Sequence, residues 1–209
     1  MTQTVAFDRP ADRDAELRGR PGEVRFLEIA PVRAVMIDGD GQVGETAFAP
    51  RMPGLYAAAY GLRFALKRRG VERRTGMLEG FFWMADGSTD FDAILGPDRD
   101  TWRWTLLISL PGEASDQELA SALAAGRAKV SPELAANLRI ETIEEGRVAQ
   151  VLYLGAYADV RPTIERLHEA IGAAGLIPRG RHHELYLGDP RRSAPERLRT
   201  LIRQPVGPA

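Results

Sequence analysis

The 209-residue chain contains no cysteine, which excludes disulfides, thiol nucleophiles and cysteine-ligated metal. It also lacks net charge. Its 28 Lys and Arg stand against 29 Asp and Glu, a formal −1, so no overall field favours nucleic acid or an anionic membrane and neither is expected as a partner. No apolar run is long enough to span a bilayer, and the stretch from Met1 to Pro10 lacks the apolar core of a signal peptide; the expected location is cytoplasmic. Histidine is scarce. Of His168, His182 and His183, the last two are neighbours, and neighbours on a strand point to opposite faces, so a shared metal is not expected. No serine sits in a nucleophile elbow and no phosphate loop is present, so no cofactor is expected either.

What is present suits a folded domain: 44% hydrophobic and 27% charged residues, enough for a sizeable core. Residues 1–22 are charged and nearly aperiodic, which predicts a lead-in; residues 23–206 then form one domain. Strand patterns cover Val24 to Ile29 and Val32 to Ile37, Leu78 to Met84, and Trp102 to Leu110, with a polar excursion from Ala85 to Asp100 before the last of these. Helical patterns cover Leu55 to Arg69, the capping box Ser115-Asp116-Gln117-Glu118 through about Arg127, and Thr163 to Ala174. Leu138 to Ile143 and Val148 to Leu154 read as a hairpin across a Glu-Glu-Gly turn, and Leu198 to Val206 as a last strand. Gly39-Asp40-Gly41-Gln42-Val43-Gly44 spells the dinucleotide-binding fingerprint. However, Pro50 and Pro53 precede the helix it needs and no acidic residue ends a strand at the right distance, so a flexible turn is the better reading.

The most informative stretch is Arg181-His182-His183-Glu184-Leu185-Tyr186-Leu187-Gly188-Asp189-Pro190, a short alternating strand closed by a turn. Glu184 and Tyr186 share one face, His183, Leu185 and Leu187 the other. A carboxylate beside a phenol can serve as an acid/base pair or as a cation-binding wall. The chain also repeats itself. Residues 35–39 match 151–155, residues 78–81 match 183–186, and residues 105–108 match 200–203, with one helix between matched strands in each half. The expected class is α+β: duplicated strand-helix-strand-strand modules (about 23–111 and 135–206) forming an antiparallel-rich sheet with helices on one face and a ligand cleft on the other. In this alignment Glu79 and Glu184 are pseudo-symmetry mates facing that cleft. Trp83, Trp102, Trp104, Tyr153, Tyr157 and Tyr186 lie on or beside the sheet strands, where such rings stack on planar ligands. The tryptophans read equally as core.

His182 to Arg192, Ala194 to Thr200 and Arg203 to Val206, with Val35 to Gly39, Leu78-Glu79-Gly80, Trp102-Arg103-Trp104 and Leu154-Gly155-Ala156-Tyr157, resemble the GyrI-like small-molecule-binding family over about residues 21–206. The chain departs from the family pattern at Ala156, where proline is usual, and at Gly188, where serine is usual. The resemblance implies a domain of two such modules that binds flat aromatic, often cationic, compounds against aromatics and a buried glutamate. It favours an enzyme, a hydrolase that opens cyclopropanoid genotoxins of the yatakemycin type and so gives toxin resistance. A non-catalytic drug-binding protein and a gyrase-inhibitor-like protein are the alternatives. The expected catalytic residues are Glu184, Tyr157 and Tyr186, with either tyrosine as the acid. The expected ligand-binding residues are Trp83, Trp102, Trp104, Tyr153, Glu79 and His183. The partner is an aromatic small molecule; monomer and homodimer both stay open.

Overall fold

The structure is a computed structural model and describes residues 5–86 and 102–209, so most of the polar excursion at 85–100 lies outside the described residues. In chain order the elements are α1 (Arg13–Glu16), β1 (Val24–Ile29), β2 (Val32–Asp40), α2 (Glu45–Phe48), α3 (Met52–Arg68), β3 (Leu78–Met84) and β4 (Trp102–Ser109). They continue with α4 (Asp116–Arg127), α5 (Pro132–Asn137), β5 (Arg139–Ile143), β6 (Gly146–Leu154), α6 (Arg161–Ala173), β7 (Leu176–Pro178), β8 (His182–Tyr186) and β9 (Arg199–Pro208). The fold is α+β, and the order strand, helix, strand, strand occurs twice: β2, α3, β3, β4 and then β6, α6, β8, β9. Every strand pair is antiparallel, in the order β1-β6-β9-β8-β3-β4-β2-β5, with β7 on β9. The two modules therefore meet where β3 pairs with β8.

Period-two alternation divides each strand between two faces. One face carries the helices. Val35, Ile37, Leu106, Ile108 and Phe82 pack against Leu55, Ala58, Leu62 and Leu66 of α3 and Leu119 and Ala122 of α4. Ala149, Val151 and Ile202 pack against Ile164, Leu167 and Ile171 of α6. The capping box at the start of α4 forms as its sequence predicts: the Ser115 side chain accepts from the Glu118 backbone and the Glu118 side chain accepts from the Ser115 backbone.

Two findings differ from the sequence reading. Leu138 to Leu154 is not a hairpin: β5 pairs with β2 and β6 with β1 and β9, at opposite ends of the strand order. Glu144 and Glu145 alone separate β5 from β6, and Ala30 and Pro31 alone separate β1 from β2, each joining strands six places apart in that order. Two residues reach only about 7–10 Å, so the sheet curls until its edges approach each other. Second, the charged segment before residue 22 is built into this curled sheet. Asp8 bridges Leu27, Phe7 meets Phe26 edge-on at 5.8 Å, Pro21 bridges Leu152, and the Gln150 side chain donates to the Glu16 carbonyl at 2.9 Å.

The glycine run at 39–44 has a packing role. A Cβ on Gly39 would sit 2.1 Å from the Trp104 indole, so this strand position is bare to admit the ring, and the helix that follows the run, α2, has only four residues. Gly39→Ala is expected to destabilise the protein by about 1–3 kcal/mol, the usual cost of overpacking a tight core, measured by chemical denaturation.

Candidate functional site

On the helix-bearing face, α3 lies over β2 and β4 and α6 over β6, leaving the central strands β3 and β8 as the floor between them. The register sets Gly80 across from Glu184 and Phe82 across from His182, while Tyr186 faces Thr200 and Thr200 faces Tyr153. His182, Glu184 and Tyr186 therefore stand in a row on one face of one short strand. His182 Nε2 lies 3.3 Å from Glu184 Oε1. Tyr186 donates a hydrogen bond to Glu184, and burial, the Glu184 charge and this bond push its phenol well above the usual tyrosine range. Tyr157, in the turn before α6, sets its ring edge-on against Tyr186 at 5.5 Å. Its phenol is also pushed up, by burial and by the charges of Glu184 and Asp189. The Glu184 side chain keeps 17% of its surface open and Tyr157 38% of its own, so the cluster is reachable. Both phenols hold their protons at neutral pH and can act as donors.

The structure thus brings together Glu184, Tyr157 and Tyr186. It separates the rest. Glu79 pairs across from Leu185, not Glu184, and so faces the opposite, inner side of the curled sheet. The cause is a one-residue slip: matching residues 78–81 to 183–186 joins an inner position to an outer one, and in a strand a shift of one flips every side chain. His183 also points inward, 3.1 Å from Glu79, away from the face that carries Glu184. The Glu184 group lies on the helix-bearing face, not on the face opposite the helices as expected, and α1 occupies the other side. Trp83 faces inward too, stacked under Arg181 at 3.8 Å. Trp104 shares Glu184's face but is 0% exposed, wedged between Phe48, Arg51 and the bare Gly39. Trp102 is likewise buried, 6.0 Å from Phe82. Tyr153 packs beside the α6 core and donates its hydroxyl to the Ala156 carbonyl at 2.8 Å, over the bare Cα of Gly155.

Four residues of this face were not singled out from the sequence. His182 follows from the same alternation that pairs Glu184 with Tyr186. Gly80 is the floor beneath Tyr186: a Cβ there would meet the Phe82 ring at 2.8 Å and approach the Tyr186 hydroxyl at 3.5 Å. Thr200 buries its hydroxyl with no hydrogen-bond partner among the described residues. Tyr56 begins a ladder on α3, 6.1 Å from Tyr60, which is 6.3 Å from Phe64; spacing by four on a helix was the available signal. Burial pushes the Tyr56 phenol up against the pull of Arg191, which places it close to the turn that follows β8. Among the described residues no group of His, Asp and Glu side chains is arranged to hold a metal ion, and no helix is long and apolar enough to cross a membrane.

The sequence pattern of the GyrI-like small molecule binding domain matches residues 22–206. No curated protein matches the sequence. Among solved structures, an uncharacterized conserved protein from Listeria innocua is similar at 26% identity and a TM-score of 0.74, over 90% of this chain and 93% of its own. A hydrolase from Listeria innocua is similar at 24% identity and a TM-score of 0.72, over 95% of this chain and 99% of its own. Another Listeria innocua structure named a hydrolase is 24% identical with a TM-score of 0.74, over 97% and 100%. At 24% identity the last two likenesses speak for the fold.

The contact between Glu184 and Tyr186 has a spectroscopic signature. Glu184→Gln removes a neighbouring negative charge, so the Tyr186 phenol should ionise at lower pH, read as tyrosinate absorbance and assigned by difference from Tyr186→Phe.

Proposed function

Because the chain belongs to the GyrI-like small molecule binding family, we propose that flat aromatic ligands lie on the β3–β8 floor between α3 and α6, and that the protein hydrolyses activated cyclopropane compounds there. The observation that carries this reading is a partly open carboxylate, Glu184, held by His182 and met by two phenols within an apolar, aromatic floor. Aromatic rings favour planar ligands, and a carboxylate among them favours a cationic or hydrogen-bond-donating group. Hydrolysis is also the class named for two Listeria innocua proteins of this fold.

In the proposed reaction Tyr186 or Tyr157 donates a hydrogen bond to the carbonyl conjugated with the strained ring, which makes the ring carbon more electrophilic. Water attacks that carbon, forming the new C–O bond as the ring C–C bond breaks. The released electron pair moves into the conjugated system and ends on the former carbonyl oxygen, which takes up a proton. Glu184 accepts the proton lost by the water, and His182 keeps its carboxylate in place. The net change is addition of one water, with no redox step. The raised phenol pKa values fit the donor role, because a tyrosine already ionised could not donate.

The test is incubation of a cyclopropanoid alkylator of the yatakemycin type with substoichiometric pure protein, followed by mass spectrometry. Wild type should accumulate the water-added product over many turnovers. Glu184→Gln, correctly folded, should lower the rate by about 10²–10⁴-fold, the usual contribution of a general base. An alkylator that returns unchanged while quenching tyrosine and tryptophan fluorescence saturably would leave a binding protein. Loss of gyrase supercoiling on adding pure protein would point instead to the protein-inhibitor class.

A further inference from the structure

The inner side of the curled sheet carries a second polar assembly, directly behind the Glu184 group. Glu79 of β3 accepts two bonds from Arg13 Nη2, at 2.9 and 3.0 Å, and one from the Ser109 hydroxyl at 2.6 Å. Its Oε2 lies 3.1 Å from His183 Nε2. The other His183 nitrogen, Nδ1, is 2.9 Å from Glu145. Glu145 also accepts from Arg203 Nη1 at 2.7 Å, and Arg203 Nη2 donates to Glu16 at 2.6 Å. Glu16 in turn pairs with Arg13. The circuit closes: Arg13, Glu79, His183, Glu145, Arg203, Glu16, and back to Arg13. Gln150 braces it, accepting from Arg203 and donating to the Glu16 carbonyl.

Three carboxylates and two guanidiniums leave this ring one positive charge short, and His183 stands at the gap. His183 Nδ1 is hydrogen-bonded to Glu145, while Nε2 sits 3.1 Å from Glu79 Oε2 but off the line of a hydrogen bond; with a carboxylate oxygen beside each nitrogen, only the imidazolium supplies the missing charge to both. The electrostatics agree. Burial opposes the His183 charge, but Glu145 and Glu79 outweigh it and raise the pKa. Burial likewise opposes the carboxylates, yet Arg13 and His183 hold Glu79 well below the usual range, and His183 and Arg203 hold Glu145 down to about 2. Each contribution has a direction. The histidine's is complete below about pH 6.5 and lost as pH rises through its raised folded value; the carboxylates' are complete above about pH 4.3 and lost as pH falls through their depressed ones.

The ring also spans the joint between the modules. Glu79 and Ser109 belong to the first, His183, Glu145 and Arg203 to the second, and α1 touches both, through Arg13 on Glu79 and Glu16 on Arg203. On the outer face of this same joint lie Gly80 and Glu184. We propose that His183 is a positioning residue: doubly protonated, it closes a six-membered ring of alternating charges that, with α1, fixes how β3 and β8 present the ligand floor on their other face. This rests on the reading of that floor as the ligand site.

The test uses the full chain with Glu145→Gln, Arg13→Met (a milder change at a partly exposed side chain) and Glu184→Gln. Nitrogen NMR of labelled imidazole should show both His183 nitrogens protonated in wild type beyond the ordinary histidine range of about 6.5. Glu145→Gln should move that titration to lower pH, and the alkaline loss of alkylator turnover should move with it. Both ring variants should raise KM several-fold more than they lower kcat. Glu184→Gln should abolish turnover without moving the His183 titration. A singly protonated His183 at neutral pH would overturn the inference. So would ring variants whose KM and alkaline midpoint stay at the wild-type values while Glu184→Gln is inactive. A wild type that neither binds nor turns over the alkylator sinks the reading of the floor first, and this inference with it.

Discussion

Four backbone pairs hold β3 to β8, and the one that sets Glu184 across from Gly80 divides the polar residues of both strands between two faces. Outward go His182, Glu184 and Tyr186; inward go Glu79 and His183. A one-residue slip of β8 would turn Glu184 and Tyr186 inward and withdraw His183 from Glu79 and Glu145. The ring penalises that slip. Without His183 the buried carboxylates Glu79 and Glu145 would be one positive charge short, and an uncompensated buried charge costs about 3–5 kcal/mol, a large share of a domain's net stability. Buried ion pairs are weak sources of stability as such, but here they are well placed to select one register over its neighbour.

The same constraint explains where apolar material collects. The large clusters lie under α3 and α4 and under α6, on the outer face. Among the described residues the inner side holds small groups, such as Ala34, Met36, Phe81 and Leu107, or Leu152, Leu185 and Leu201, around the charges. The long helices α3, α4 and α6 all pack on the outer face. The short α1 occupies the inner side instead, with Arg13 and Glu16 turned toward Glu79 and Arg203.

Much of this was legible in the sequence. The repeated module, the main helices and the strand that carries Glu184 all follow from periodicity and caps, and alternation alone set Glu184 beside Tyr186. It was not enough to phase one repeat against the other, so Glu79 was expected on the wrong face. Nor could it sort the tryptophans, since indole size suits a core and a ligand wall alike; only Gly39 beneath Trp104 decides that case. The Glu-Glu-Gly turn reads locally as a hairpin, whereas the partners of β5 and β6 are set by distant strands. Residues 12–17 look like a solvated arm because the partners that make Arg13 and Glu16 buried ions lie far along the chain.

Glu16 and Arg203 are 187 residues apart. During synthesis the N-terminal segment emerges from the ribosome long before β9 exists, and at about 5–20 residues per second it waits roughly ten to forty seconds for its partner. Until then the charges of α1 remain in water and the curled sheet lacks β9, the strand between β6 and β8. Closure of the interior is therefore a late event that must wait for β9 to emerge, and it carries the loop-closure entropy of a long-range contact.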